Sequence, residues 1–188
     1  MSKHILTFDI EKRSKENEND YILEGYALKY ETPTVLFEDK NGPVNEVIKR
    51  GALDKADVSD VILNFNHDDS VLLARTTNGT LHLEDTTEGL YIRADVSKSP
   101  RGKEIYDMVQ SGLLQKMSFS FTIDDETFDR KSRTREVRSI KKLYDVSVVT
   151  FPAYDDTSIV ALRNKISDEE KISLKKQELL NRFFEEEK

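Results

Sequence analysis

Residues 117–123 read Met117-Ser118-Phe119-Ser120-Phe121-Thr122-Ile123, so that apolar and hydroxyl side chains alternate. Successive side chains of an extended chain point to opposite faces, and this alternation therefore predicts a β-strand with one apolar face. We expect Met117, Phe119 and Phe121 to face a core and Ser118 and Ser120 to lie on the other, wetter face. The segment thus predicts a sheet that carries hydroxyl groups on one surface.

Further strands are predicted on both sides of this segment from short runs rich in aliphatic and β-branched residues. These runs are 21–28, 61–65, 71–74, 80–84, 90–96, 136–140 and 143–151. A helix is predicted after Ser99-Pro100 from helically spaced apolar residues, and a short helix is expected to begin within 50–53. The predicted fold class is mainly β with packed helices (α+β), built on a mostly antiparallel, barrel-like sheet.

The chain of 188 residues divides into three predicted parts. Residues 1–20 comprise a short strand and a polar loop, and residues 21–163 form the main domain. Residues 164–188 are predicted to form an amphipathic helical tail, which begins with the capping box Ser167-Asp168-Glu169-Glu170. An apolar stripe follows in this tail, at Ile172, Leu179, Leu180, Phe183 and Phe184.

Composition excludes several classes of site and partner. The chain has no cysteine, so disulfides, thiolate metal sites and a cysteine nucleophile are ruled out. The net charge of −7 argues against a protein that coats nucleic acid, which binds mainly through Lys and Arg. The basic stretch 130–135 is either a solvated hairpin tip or a contact for an acidic partner. The sequence contains no apolar run that could span a bilayer and no leader-like N-terminus, so we expect no membrane association and a cytoplasmic location.

His67 is a candidate general base because imidazole accepts and returns protons near neutral pH. It follows the apolar run 61–65, within the turn-like sequence Asn66-His67-Asp68-Asp69. Two other interpretations remain open, an exposed turn histidine or a metal ligand with the two aspartates. The metal interpretation is the weaker, since no second histidine stands at ligand spacing.

Ser118 and Asp145 are the other candidate site residues. A serine hydroxyl is a poor nucleophile unless a base removes its proton, so Ser118 needs a base opposite it. Asp145 precedes the apolar, β-branched run 146–149, where a buried carboxylate requires a partner. That partner is either an imidazole N–H or a cation of the basic stretch. If the fold brings His67, Ser118 and Asp145 together, they could act as base, nucleophile and orienting acid.

The chain resembles the prohead (capsid maturation) proteases of HK97-like tailed bacteriophages, which are related to the herpesvirus assemblins. The resemblance covers residues 22–162 and rests on motifs that occur in order. These motifs are Gly25-Tyr26-Ala27, Glu46-Val47-Ile48-Lys49-Arg50-Gly51-Ala52-Leu53, Asn66-His67-Asp68, Ser111-Gly112-Leu113-Leu114, Met117-Ser118-Phe119-Ser120-Phe121 and Asp145-Val146-Ser147-Val148-Val149-Thr150-Phe151-Pro152-Ala153-Tyr154.

The resemblance implies a closed β-barrel surrounded by helices and a serine endopeptidase without cofactor or metal. His67 matches the family's base and Ser118 its nucleophile, while Asp145 occupies the place of the third member. Ser120 stands where relatives often carry glycine, which adds a second candidate nucleophile.

By the same resemblance, the substrates are segments of scaffold and major capsid protein, cut inside the assembling prohead in the host cytoplasm. Self-cleavage that removes 164–188 is also implied, although a tail that simply packs on the barrel is the alternative. Related viral proteases are activated by dimerisation, which makes a homodimer a candidate state. The competing hypothesis for the whole protein is a non-enzymatic assembly factor that binds capsid or scaffold protein through its C-terminal helix.

Overall fold

The computed structural model describes residues 4–12 and 21–150, and for 4–12 it describes the backbone. These ranges contain ten β-strands, one α-helix and one 3₁₀ turn, Thr76–Asn78. The elements in chain order are β1 (His4–Lys12), β2 (Ile22–Lys29), β3 (Thr34–Asp39), β4 (Gly42–Ile48), β5 (Ile62–Phe65), β6 (Asp68–Arg75), β7 (Leu81–Asp85), β8 (Gly89–Asp95), α1 (Gly102–Gln110), β9 (Lys116–Asp129) and β10 (Thr134–Val149).

The strands form one sheet in which β10 is the branching element. The main path runs β3-β4-β10-β9-β1-β2-β8-β7, and the β5–β6 hairpin attaches to β10. β10 pairs antiparallel with β9 along most of its length. It also pairs in parallel with β4 near its start and with β5 near its end. The far end of β10 therefore lies between β5 and β9, so that Asp145 on β10 and Ser118 on β9 lie close to the end of β5, which His67 follows.

The mainly β fold class is confirmed, with one α-helix in the described residues. Among these residues, no strand pairing joins the two ends of the sheet path, so closure of the barrel remains a prediction. β1 lies within the sheet, between β9 and β2. The division at 1–20, 21–163 and 164–188 also remains a prediction, and the tail lies outside the described residues.

Two local predictions are wrong. The expected helix at 50–53 is a series of tight turns. Gly51 adopts a left-handed φ of 83°, which a helix does not allow. The backbone bonds Ala52 N→Lys49 O and Asp54 N→Gly51 O each span three residues, as in a turn, and not the four of an α-helix. The separate strands expected at 136–140 and 143–151 are one strand, β10. Register shifts between Val137 and Asp145 bend β10 without ending its pairing with β9.

The expected wetter face of β9 is also wrong. Ser118 and Ser120 are each 1% exposed, and Thr122 is 3% exposed. On the opposite face, Phe119 and Phe121 are fully buried, as predicted. β9 is an interior strand flanked by β1 and β10, and its side chains are buried on both faces. The hydroxyls therefore lie inside the protein, where each needs a partner.

Helix α1 buries Ile105, Tyr106 and Val109 against the core. Its first residue is Gly102, where a Cβ atom would lie 1.7 Å from the carbonyl oxygen of Val96, so only glycine fits this approach. Within the described ranges, no helix combines the length and hydropathy needed to cross a membrane.

Candidate active site

A row of polar side chains crosses the sheet at one level. Ser118 on β9 is in register with Ser147 on β10, and Ser147 is in register with Asn64 on β5. Residues paired in register point to the same face of a sheet, so the three side chains share one surface. Asp145 lies two residues before Ser147 and therefore projects from the same face. Pairing of three strands thus concentrates polar groups that the sequence spreads over more than 80 residues.

His67 reaches this row from the tip of the β5–β6 hairpin. Phe65 pairs with Asp68, which leaves Asn66 and His67 as a two-residue loop. Both adopt left-handed backbone angles, with φ of 54° and 55°. Positive φ at both loop positions defines the type I′ turn, and asparagine and histidine are both enriched among the few non-glycine residues that adopt this conformation.

Asn66 fixes the tip of this hairpin to the end of β10. Its side-chain Oδ1 accepts from the Thr150 backbone N–H at 2.8 Å, and its Nδ2 donates to Thr150 Oγ1 at 3.1 Å. Its own backbone N–H donates to the Val148 carbonyl at 2.9 Å. These three bonds hold the turn against β10, and therefore hold the His67 ring over the polar row.

The His67 ring bridges the two other candidate residues. Its Nε2 lies 2.9 Å from Ser118 Oγ, and its Nδ1 lies 2.6 Å from Asp145 Oδ1. An Nδ1–H that donates to the carboxylate leaves Nε2 as the acceptor for the serine hydroxyl. The arrangement can remove a proton from Ser118 while Asp145 stabilises the positive charge that develops on the ring.

Asp145 is 3% exposed, so its charge depends on nearby partners. Its carboxylate contacts His67, and its Oδ1 lies 2.9 Å from Ser147 Oγ. Of the two partners left open by the sequence, the structure has the imidazole and not a cation of the basic stretch. The His67 side chain is 20% exposed, which makes it the most accessible of the three.

Ser120, the second candidate nucleophile, lies outside this group. It is in register with Asp145, yet its buried Oγ has no hydrogen-bond partner among the described residues. A hydroxyl without a base nearby is not activated for attack. The geometry therefore distinguishes Ser118, which contacts the imidazole, from Ser120, which does not.

Asn64 and Ser147 also belong to this polar row, and the sequence alone predicts no role for either residue. Ser147 Oγ lies 3.0 Å from His67 Nδ1 and donates a short hydrogen bond to Asn64 Oδ1. Two signals could have found them: the two-residue spacing of Asp145 and Ser147, and the asparagine inside the apolar run 61–65. Neither signal gives the strand order that places them side by side.

The carboxylates next to His67 are engaged locally. Asp68 Oδ1 accepts from the Ser70 backbone N–H at 2.8 Å, and Asp69 Oδ1 accepts from Asn64 Nδ2 at 3.3 Å. In the described part of the chain, no group of three or more His, Asp or Glu residues could hold a metal ion. His82 is exposed on β7, as its alternation with Leu81 and Leu83 predicts.

Comparison with known proteins places these residues in a family context. The family model described as caudovirus prohead serine protease matches residues 8–172. The prohead protease of Enterobacteria phage HK97 is 26% identical over 147 residues, which is 76% of this chain and 60% of that protein. The structure of the capsid assembly protease of bacteriophage T4 aligns with a TM-score of 0.48 and 15% identity, over 78% of this chain and 96% of that one. Because the family model covers most of its length, this chain belongs to the caudovirus prohead serine protease family.

Proposed function

We propose that this protein is a serine endopeptidase that cuts scaffold and major capsid protein segments during prohead maturation. The observation that carries the proposal is the single imidazole, His67, held between the Ser118 hydroxyl and the Asp145 carboxylate at 2.9 and 2.6 Å. Membership of the prohead protease family supports the same chemistry.

In the proposed reaction Ser118 Oγ attacks the scissile carbonyl carbon while His67 Nε2 takes the hydroxyl proton. His67 then gives this proton to the leaving amine, and the peptide C–N bond breaks to leave an acyl-serine. Water attacks the acyl group by the same route, with His67 again as base. Asp145 holds the Nδ1–H tautomer and stabilises the imidazolium in both halves of the reaction.

Access to Ser118 requires a local opening. A reacting carbonyl must approach the nucleophilic oxygen to about 3 Å, yet Ser118 is 1% exposed. The His67 side chain, at 20% exposed, is the accessible end of the group. We therefore expect substrate to enter from the β5–β6 hairpin side, with some displacement of the atoms that cover Ser118.

Family membership supports a proposal for the biological setting. The HK97 relative is a prohead protease, and we propose the same setting here, inside the assembling prohead in the host cytoplasm. We further propose that the chain cuts itself before 164–188, that the sheet closes into a barrel, and that a homodimer is the active state. The match spans 60% of the HK97 protein's length, so each of these properties needs its own test.

Co-expression with the cognate major capsid protein tests the proposal. The intact masses of capsid protein and protease are compared for wild type, Ser118→Ala and Ser120→Ala. Wild type and Ser120→Ala should yield truncated capsid protein. Ser118→Ala should leave it whole, because removal of a catalytic serine costs about 10⁴-fold or more in rate.

Each contrary result has a definite meaning. If capsid protein co-expressed with the wild-type chain assembles into shells but stays uncut, the proposed protease function is wrong and the non-enzymatic assembly factor is favoured. Cutting that is lost only in Ser120→Ala would move the nucleophile to Ser120. Full activity of Asp145→Asn would remove Asp145 from the group.

A further inference from the structure

His67 Nδ1 faces two acceptors. One is Asp145 Oδ1 at 2.6 Å, and the other is Ser147 Oγ at 3.0 Å. Ser147 is fully buried and in register with Ser118, so it belongs to the same face of the sheet. The mechanism above uses the first acceptor and leaves the second without a role.

The direction of the Ser147 hydrogen bond follows from its neighbours. Asn64 is fully buried, and its Nδ2 donates to Asp69 Oδ1 at 3.3 Å. An ionised carboxylate accepts hydrogen bonds and cannot donate, so the NH₂ group of Asn64 must face Asp69. Asn64 Oδ1 then faces Ser147 Oγ and accepts its hydrogen in a short bond.

A hydroxyl has one hydrogen, so Ser147 cannot donate to Asn64 and Asp145 at once. With the hydrogen on the Asn64 side, the lone pairs of Ser147 Oγ face His67 Nδ1. All donors then point one way, from the imidazole N–H to Ser147, from Ser147 to Asn64, and from Asn64 to the carboxylate of Asp69. A chain with uniform direction polarises each of its bonds in the same sense.

We propose that Ser147, oriented by Asn64, is a positioning residue that gives the His67 N–H a second acceptor beside Asp145. It holds the ring in the Nδ1–H tautomer, with Nε2 free to accept the Ser118 proton. Ser147 acts through His67 and does not touch substrate. This inference rests on the proposed function for its effect on cleavage, but the tautomer itself exists whether or not the protein cuts.

The two acceptors should compensate for one another. Loss of Ser147 alone removes one neutral hydrogen bond, and we expect kcat to fall about 10-fold with KM nearly unchanged. Loss of Asp145 leaves Ser147 as the sole acceptor at Nδ1. Removal of Ser147 should therefore cost more in an Asp145→Ala background than in wild type, which is a non-additive pair.

The test measures the tautomer of His67 from the ring ¹⁵N shifts of the full-length protein. In Asp145→Ala the Nδ1–H form should persist, and in the Asp145→Ala/Ser147→Ala double variant it should lose its dominance. Ser120→Ala is the matched control, because it removes another buried hydroxyl from the same face and should leave the tautomer unchanged. Ser147→Thr keeps a hydroxyl and should restore most of the kcat lost in Ser147→Ala.

An Nε2–H tautomer in Asp145→Ala would overturn the inference, because Ser147 would then be donating to Nδ1. If the double variant does not fold, the kcat values of the single variants test the inference. Equal kcat for Ser147→Ala and Ser120→Ala would also overturn it. If the expected tautomers are seen but capsid protein is never cut, the positioning role of Ser147 stands and the proposed protease function fails. If capsid protein is cut but His67 in Asp145→Ala is the Nε2–H tautomer, the protease function stands and the positioning role of Ser147 fails.

Discussion

The two ends of β10 bury polar groups in different ways. Near its start, where β10 runs parallel to β4, Arg135 lies 1% exposed between Glu46 and Glu126. Near its end, where it runs parallel to β5, Asp145 and Ser147 meet His67. One strand thus carries a cluster of permanent charges at one end and a cluster built around an imidazole at the other.

The difference shows that burial of polar groups does not by itself mark a functional site. The Arg135 guanidinium contacts both carboxylates, which are fully buried for Glu46 and 6% exposed for Glu126. The one guanidinium offsets part of the charge of the two carboxylates, and the cluster exposes no reactive group. At the other end, a partly exposed imidazole contacts a hydroxyl, so a proton can move between them. We call these the ion end and the site end of β10.

The ion end should dominate stability. Arg135→Met leaves two carboxylates buried without their cation, and loss of one partner of a buried ion cluster costs about 3–5 kcal/mol. Denaturant unfolding should show this loss, whereas Ser118→Ala at the site end should abolish cutting and leave the denaturation midpoint nearly unchanged. A control replaces the whole cluster, Arg135→Met with Glu46→Leu and Glu126→Leu, and should recover most of the stability. A triple variant as unstable as the single variant would show instead that attraction within the ion cluster makes a net contribution to stability.

Asn66 tests how tightly the site end is held. Asn66→Ala removes both side-chain bonds to Thr150 and places a Cβ-bearing residue without hydrogen-bonding capacity at φ of 54°, which costs about 1–2 kcal/mol. Asn66→Gly removes the same bonds but keeps the backbone angle free of strain. Both variants should cut more slowly, and the alanine variant should also unfold at lower denaturant. Equal stability of the two variants would place the whole effect in the Thr150 contacts.

At the site end, Ser120 is a buried residue whose hydroxyl takes no part in the hydrogen bonds around His67. Its hydroxyl is buried with no hydrogen-bond partner among the described residues, so Ser120→Ala removes an unsatisfied group. We expect the free energy of unfolding to stay the same or to rise by up to about 1 kcal/mol. Denaturant midpoints of this variant and wild type provide the measurement. A clear loss of stability would mean that Ser120 has a partner in the folded protein in solution.

The smallest expected effect on stability comes from the surface ion pair between Asp57 and Lys142, beside the middle of β10. The Lys142 ammonium at 2.8 Å, and then Ser59, hold the pKa of the Asp57 carboxyl below its usual value. A lowered folded-state pKa stabilises the protein above the unfolded pKa of about 4, and this stabilisation is lost as the pH falls through the folded value. Asp57→Asn should therefore melt slightly below wild type at neutral pH, and the gap should narrow progressively as the pH falls below about 4. A gap that does not change with pH would show that the ion pair contributes nothing.

Local sequence was enough to predict most strands because their signals are local. Alternation in 117–123 gave β9, and the apolar run 61–65 gave β5, since each pattern reflects the two-residue period of a strand. The basic stretch was harder to interpret. Residues 130–133 do form the turn between β9 and β10, but Arg135 of the same stretch is buried, because its partners lie 89 and 9 residues away along the chain.

The candidate site could be predicted only in part. His67, Ser118 and Asp145 stand out in the sequence as polar residues in apolar surroundings and by resemblance to a family, and the structure brings their side chains together. Asn64 and Ser147 do not stand out, because each looks like an ordinary polar residue in a strand. Their importance depends on the parallel register of β5 with β10, which no short-range pattern encodes.

By itself, the sequence determined the β-rich fold class and the segment 117–123 with its two serines, because side-chain alternation is a property of the chain alone. Only the tertiary structure decided which serine faces a base, which carboxylate faces the imidazole and which hydroxyl supports it. The physical reason is the range of the interactions. Hydrogen bonds act over about 3 Å, and pairing of β5, β10 and β9 brings to that distance side chains that lie 51 to 83 residues apart.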